Sequence, residues 1–241
     1  FSMSLSIIIP CFNEEKIIAK TVAKIRSKIK IKNYEILLID DYSKDNTFKI
    51  ITNLKKRYKN VRAKKNLIKG LGSAIEIGIE MSKKNYVLIF MADQSDDMGD
   101  LNKYYKIISK KKLDAVLGSR FIYGSLVKDY PLFKKILNRF FNNFVRILFV
   151  SKYNDFTNAF KIYKRSTLIH LKPFVSENFN IFLELPLKIV SRKYDYQIMP
   201  IKWKNRTIGR SNFNIKELGS KYLFTLIYCY FEKILINKRK L

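Results

Sequence analysis

Apolar positions in the first half of the chain follow two alternating rhythms. Leu5 to Ile9 is a continuous β-rich run, and the next stretch places Ile17, Ile18, Thr21, Val22, Ile25 and Ile29 on one helical face. Asn13, between them, is a residue type that caps helices, so the pattern predicts strand, turn, helix. The unit then repeats. Glu35 to Ile39 predicts a second buried strand, and polar Asp40 to Asn46 leads into a helix carrying Phe48, Ile51, Leu54 and Tyr58. A short strand near Val61, a Gly70-Leu71-Gly72 turn and a helix with Leu71, Ala74, Ile75, Gly78 and Ile79 inward come next. Tyr86 to Phe90 predicts a fourth main strand, followed by a helix with Leu101, Tyr104, Tyr105 and Ile108 and a strand from Ala115 to Leu117. Strands and helices alternating through short links predict an α/β fold, a mostly parallel sheet with helices on both faces. Such sheets bind ligands beyond the carboxyl ends of their strands. Asn13-Glu14, Asp40-Asp41 and Met91-Ala92-Asp93 all fall there. Single acidic turn residues often serve only as caps, so their convergence on one crevice is the stronger signal.

From about Leu126 the pattern changes. Phe133, Ile136, Leu137, Phe140, Phe141, Phe144, Leu148 and Phe149 are interleaved with Lys134, Lys135, Arg139 and Arg146. This amphipathic, basic, aromatic-rich helix fits two roles, core packing against the sheet or lying at a membrane interface. Ile215 to Ile236 has a similar mixture, and its uncharged run, Tyr222 to Phe231, is short of the roughly 20 residues that span a bilayer. The expectation is a chain that spans no membrane but has surfaces able to rest on one.

Composition adds bounds. A chain of 241 residues, 47% hydrophobic, suffices for one α/β domain with a substantial core. The net charge of +28 favours an anionic partner: nucleic acid, acidic membrane or phosphorylated small molecule. Recognisable RNA-binding or base-reading signatures are missing, so charge alone argues for nucleic acid and no nucleic-acid partner is expected. Cys11 and Cys229 make neither a disulfide framework nor a zinc spacing, and the first apolar run is too short for a signal peptide. A cytoplasmic location fits these features, with peripheral attachment to the cytoplasmic face of a membrane. His170, the single histidine, belongs to no motif.

Ile9-Pro10-Cys11-Phe12-Asn13-Glu14, Ile39-Asp40-Asp41-Tyr42-Ser43 through Thr47, Lys69-Gly70-Leu71-Gly72 and Gly118-Ser119-Arg120 occur in order along the chain. Together they resemble the family-2 glycosyltransferases. Asp155-Phe156-Thr157-Asn158-Ala159-Phe160-Lys161 and Arg206-Thr207-Ile208-Gly209-Arg210-Ser211 look like later signatures of the dolichol-phosphate mannose synthase branch. The resemblance covers almost the whole chain. It implies a single Rossmann-like GT-A domain over residues 1–241, with a nucleotide-sugar half to about 120 and an acceptor half after it, ending in amphipathic helices. It also implies transfer from a nucleotide-diphosphate sugar, GDP-mannose or a UDP-sugar, to a polyprenyl phosphate, with inversion at the anomeric carbon. The alternative acceptor is a sugar hydroxyl in polysaccharide or glycan synthesis.

The resemblance carries roles onto particular residues. Pro10, Phe12 and Glu14 match the first nucleotide-contacting turn, and Asp41 matches a residue that accepts from the base. Its neighbour Asp40 fits the same site or an Asx turn. Gly70 and Gly72 would admit phosphate before a helix N-terminus, although a tight loop explains them as well. Asp93 is the expected ligand to Mg²⁺ or Mn²⁺ across the donor diphosphate. Here the chain departs from the family's Asp-x-Asp, because Met91 stands at the first position and a thioether is useless to a hard cation. Either Asp93 with its neighbours Asp96 or Asp97 suffices, or donor oxygens and water hold the metal loosely. Arg120, Arg139, Arg206 and Ser211 fall where an acceptor phosphate is expected, Arg120 alternatively serving in an ion pair, and Lys134 and Asn138 lie in the same stretch as Arg139. A phosphate acceptor needs no base; a hydroxyl acceptor does, and Glu184 in the apolar helix Phe179 to Val190 matches that position, unless it is a buried structural carboxylate. A degenerate fold that binds a nucleotide sugar without turnover rests on Met91 alone.

Overall fold

The computed structural model describes residues 4–205 and 215–235. Its elements are β1 (Leu5–Cys11), α1 (Ile18–Lys28), β2 (Tyr34–Asp40), α2 (Thr47–Arg57), β3 (Val61–Lys65), α3 (Leu71–Met81), β4 (Tyr86–Ile89), α4 (Met98–Lys111) and β5 (Ala115–Ser119). After these come β6 (Leu126–Lys128), α5 (Leu132–Leu148), β7 (Lys161–Lys164), α6 (Arg165–His170), α7 (Ile181–Ser191), β8 (Tyr196–Pro200), β9 (Lys202–Lys204) and α8 (Ile215–Leu235).

A seven-stranded sheet in the order β3-β2-β1-β4-β7-β5-β8 forms the centre. All neighbouring strands run parallel except at β7, which is antiparallel to both β4 and β5. The predicted mostly parallel α/β sheet is therefore present, with one reversed strand that the sequence pattern did not reveal.

Successive residues of a strand point to opposite faces, which is why β1 and β2 must be apolar throughout. Ile8, Leu37 and Ile39 enter one core layer beneath α3, α5, α6, α7 and α8. Ile7, Ile9, Ile36 and Leu38 enter the other, beneath α1, α2 and α4. Because β7 and β8 come from the second half of the chain and complete the same sheet, the expected nucleotide and acceptor halves share one core.

One local expectation is corrected. Asn13 does not cap α1, whose N-cap position is Ile17 without a side-chain bond. Asn13 instead adopts φ 54° and joins two loops: its N–H donates to Ser43 Oγ at 3.0 Å and its Oδ1 accepts from Lys44 N at 2.8 Å. Asn tolerates this left-handed geometry better than most residues.

Candidate active site

The carboxyl ends of β1, β2, β4 and β5 lie along one edge of the sheet. Reversal of β7 delivers its first residue, Lys161, to that same edge, opposite Ile89 and Leu117. The segment before β7 therefore reaches the crevice too.

At the β1 and β2 ends, Asp41 N donates to Cys11 O at 2.8 Å, while Glu14 N and Glu15 N donate to Thr47 Oγ1 and Asp45 Oδ2. Pro10 is buried in β1; Phe12 is half-buried, with the Lys69 ammonium 5.4 Å from its ring centre. The two adjacent aspartates differ sharply. Asp41 Oδ1 accepts from Gly70 N at 2.7 Å and Asn66 Nδ2 at 3.0 Å, and burial raises its pKa against these bonds. Asp40 is fully buried, and neither carboxylate oxygen has a hydrogen-bond partner. It forms no Asx turn; Asp45, accepting from Thr47 N at 2.9 Å, fills that role.

Gly70 and Gly72 lie against protein backbone. A Cβ on Gly72 would sit 1.9 Å from Ser176 O, one on Gly70 would sit 2.4 Å from Glu177 O, and Gly72 N donates to Glu177 O at 2.7 Å. The requirement for glycine at both positions comes from this chain crossing.

The turn after β4 is anchored by α1, since Thr21 Oγ1 donates to Ala92 O at 2.7 Å. Met91 packs against the apolar core. Asp93 is half-buried and its Oδ1 accepts from Ser95 N at 3.0 Å. Asp97 caps α4 by accepting from Gly99 N. Asp96 is buried, and desolvation first, then the charge of Asp93, pushes its pKa up to about 8. Among the described residues no group of three or more His, Cys, Asp or Glu could enclose a metal ion. Asp93 nevertheless suits Mg²⁺ or Mn²⁺, hard ions commonly held by one or two carboxylates with substrate phosphates and water completing the shell.

Arg120 is already paired. Its Nε and Nη2 donate to the two oxygens of Asp155 at 2.9 and 2.6 Å, and its backbone N–H donates to Asp155 Oδ2 at 2.8 Å. The ion pair given as its alternative role is present, and it is buried. Arg139 has a different environment: it donates to Asn154 O and Asn143 Oδ1, at 3.1 and 3.2 Å, and stacks 4.4 Å from the Phe121 ring centre. Burial lowers its pKa, and the charge of Arg120 lowers it further. Arg206 and Ser211 lie outside the described residues. Lys134 is exposed, and Asn138 Nδ2 donates to Thr157 Oγ1.

Glu184 is held within the protein interior. It is fully buried, accepts from Val175 N and Ser176 N, and pairs with the equally buried Lys188 at 2.7 Å. Its local work is to shape the very segment against which Gly70 and Gly72 pack.

Sequence reasoning gave no role to Lys161, although it closes the Asp155-to-Lys161 signature. The buried ammonium donates to the carbonyls of Phe156, Asn158 and Phe182. Burial lowers its pKa to about 7, outweighing carbonyl partners that favour the protonated form. Asp155 went unassigned for the same reason: its partner lies 35 residues away.

Residues 6–171 match the profile of glycosyl transferase family 2. The chain belongs to that family. It is 33% identical over 187 residues to a dolichyl-phosphate beta-glucosyltransferase of Dictyostelium discoideum, an alignment covering 70% of the chain and 56% of the relative. It is 28% identical over 137 residues to a dolichol-phosphate mannosyltransferase of Pyrococcus furiosus, covering 57% and 39%. The chain thus spans about half the length, or less, of these curated relatives. Among solved structures, Mycobacterium tuberculosis glucosyl-3-phosphoglycerate synthase with Mn²⁺, UDP-glucose and phosphoglyceric acid superposes with a TM-score of 0.70 at 14% identity, covering 95% of this chain and 80% of that one. Staphylococcus aureus TarS superposes at 0.61 and 14% identity, covering 95% and 72%. The fold is accordingly the GT-A type that the motifs implied.

Proposed function

We propose that this family-2 member transfers a sugar from a nucleotide-diphosphate sugar to a polyprenyl phosphate at a membrane surface. The observation that carries the reading is the placement of Arg139. Its half-buried guanidinium bonds only neutral oxygens and stands on α5, a helix whose apolar residues face outward. Phe133, Phe140, Phe144 and Ile147 are between 51% and 76% exposed, and on α8 Phe224, Ile227 and Phe231 are exposed as well. Phe141–Tyr222 and Phe149–Tyr230 edge contacts set α5 beside α8, so the exposed residues belong to adjoining helices. Core packing explains Val145 and Phe149 but not this face. Together with exposed Lys134, Lys135 and Arg146, it has the character of an interfacial helix. No helix among the described residues is long and apolar enough to cross a membrane.

In this reading the β1, β2 and β4 turns, with Phe12, Glu14, Asp41 and Asp93, hold the donor. A bound divalent cation, held through Asp93, would offset charge on the departing diphosphate. Arg139, adjacent to Arg120 across the Phe121 ring, receives the acceptor phosphate from the membrane side. A phosphate oxygen attacks the anomeric carbon as the bond to the diphosphate breaks, giving inversion. The acceptor is already an anion, so no base is required. A hydroxyl acceptor would need one, and Glu184 is committed to the Val175–Ser176 amides and Lys188. The names of the Dictyostelium and Pyrococcus relatives agree with a polyprenyl acceptor.

The test is transfer from radiolabelled UDP-glucose and GDP-mannose to polyprenyl phosphate in vesicles with Mg²⁺ or Mn²⁺. Lipid-linked product from either donor is expected, with a marked loss in Arg139→Ala. Absence of lipid-linked product with these and other nucleotide sugars, while sugar passes to a soluble glycan, would overturn the acceptor assignment.

A further inference from the structure

Four carboxylates follow β4, and three have visible work. Asp97 caps α4. Asp100 accepts from Lys202 N at 2.6 Å and faces Lys103. Asp93 gives one oxygen to Ser95 N. Asp96 is 5% exposed, its backbone is pinned to Trp203 by an isolated β-bridge, and its carboxylate has no hydrogen-bond partner among the described residues. The two cations whose fields reach it are Arg120 and Lys161, and both are engaged elsewhere, Arg120 by Asp155 and Lys161 by backbone carbonyls. Leaving a carboxylate desolvated without donors is costly, and such a group in a ligand crevice points to a cation that arrives with the ligand.

Met91 sharpens the point. Two positions before Asp93, Met91 packs its thioether against the core and offers nothing to a hard cation. We propose that Asp96 supplies the carboxylate that Met91 cannot, so that Asp93 and Asp96 jointly hold the divalent cation accompanying the donor diphosphate. The ion is of the hard class, Mg²⁺ or Mn²⁺, and takes its remaining oxygens from diphosphate and water. This inference rests on the transferase reading for its donor but not for its acceptor.

The test is Mn²⁺ binding to the full chain with UDP or GDP present, read by electron paramagnetic resonance. Asp96→Asn should weaken Mn²⁺ at least tenfold, Asp97→Asn should leave it unchanged because Asn also caps helices, and Met91→Asp in the Asp96→Asn background should recover affinity. Thermal melting checks that each variant folds; Asp96→Ser replaces Asp96→Asn if the latter does not. Wild-type affinity in the Asp96 variant overturns the inference, as does a wild-type chain that binds no Mn²⁺ with either diphosphate. Loss of Mn²⁺ in Asp96→Asn alongside a failed lipid transfer assay would keep the ion site and remove only the polyprenyl acceptor.

Discussion

The Arg120–Asp155 pair offers the sharpest test of how the acceptor side is built. Asp155 is fully buried and the Arg120 side chain is 9% exposed, so water screens the pair little. Three bonds of 2.6 to 2.9 Å converge on one carboxylate. Asp155→Asn keeps the shape but removes the charge and turns one acceptor into an NH₂ that faces a donor. Arg120 then keeps one amide oxygen, a 3.4 Å contact to Tyr130 Oη and the rings of Phe121, Tyr130 and Trp203, centred 5.3 to 5.7 Å away, but loses the carboxylate bonded to it. Removing one partner of a buried pair costs about 3–5 kcal/mol, because the survivor stays charged and desolvated. For a chain of this size that corresponds to a fall in Tm of roughly 6–20 °C.

Urea unfolding of wild type, Asp155→Asn, Arg120→Met and the double variant measures it. The double variant should lose about 2 kcal/mol less than the sum of the singles, since it leaves no orphan charge. An Asp155→Asn loss below about 1 kcal/mol, or strict additivity in the cycle, would refute the claim that Asp155 neutralises Arg120 before acceptor binds.

Other expectations follow from the same geometry. Gly72→Ala places a methyl 1.9 Å from Ser176 O and should cost at least about 2 kcal/mol in calorimetry; a neutral result would remove the chain-crossing account of this glycine. Glu184→Gln, which leaves buried Lys188 with only the more distant Glu232 carboxylate, should cost roughly 3 kcal/mol while kcat of the folded fraction stays near wild type, whereas a collapsed kcat with intact stability would reinstate a base. Lys161 is lowered to about 7 from 10.5, so between those pH values the unfolded chain holds a proton that the native one lacks. Stability should therefore rise with pH across that window in wild type relative to Lys161→Met, and parallel urea midpoints at pH 6, 8 and 9.5 would contradict it. Phe133→Ser with Phe140→Ser should weaken binding to anionic vesicles roughly hundredfold, from about 1.5 kcal/mol or more per ring; unchanged flotation would reject the interfacial helix.

The strands that sequence made legible are those whose side chains are apolar on both faces. Ile7 to Ile9 and Ile36 to Ile39 announce burial by composition alone. β7 escaped because Lys161-Ile162-Tyr163-Lys164 has a lysine at each end, and Lys161 is buried only through carbonyls supplied by distant turns. Arg120 was legible as important, with an ion pair as the alternative role, but its partner was not, since nothing local marks Asp155. Gly70 and Gly72 were legible as close-approach positions, while what approaches them, Ser176 and Glu177, comes from a segment over 100 residues later. Residue type could not separate Asp96 from Asp97 and Asp100 either. Only the start of α4, which takes Asp97 as its cap, and the β9 strand, which takes Asp100, leave Asp96 without a partner.

This distribution of partners has an electrostatic consequence for the order of binding. On the proposed acceptor side Arg120 is neutralised by Asp155, while Arg139 bonds neutral oxygens among the described residues and so has more to gain from an anion than Arg120. On the donor side the turn after β4 presents Asp93 and Asp96, whose mutual repulsion helps push Asp96 upward. A bare diphosphate approaching that turn meets the charge of Asp93 in a region of reduced screening, which opposes binding, while Asp96, pushed up to about 8, keeps its proton at neutral pH. The same diphosphate carrying a divalent ion brings a counter-charge for Asp93 and favours the ionised form of Asp96. Donor affinity should therefore depend steeply on the divalent ion, and acceptor affinity should not. Isothermal titration of UDP and of a short-chain polyprenyl phosphate, with and without Mn²⁺, separates the two, and a donor affinity insensitive to the ion would show that the crevice charges are balanced by other means.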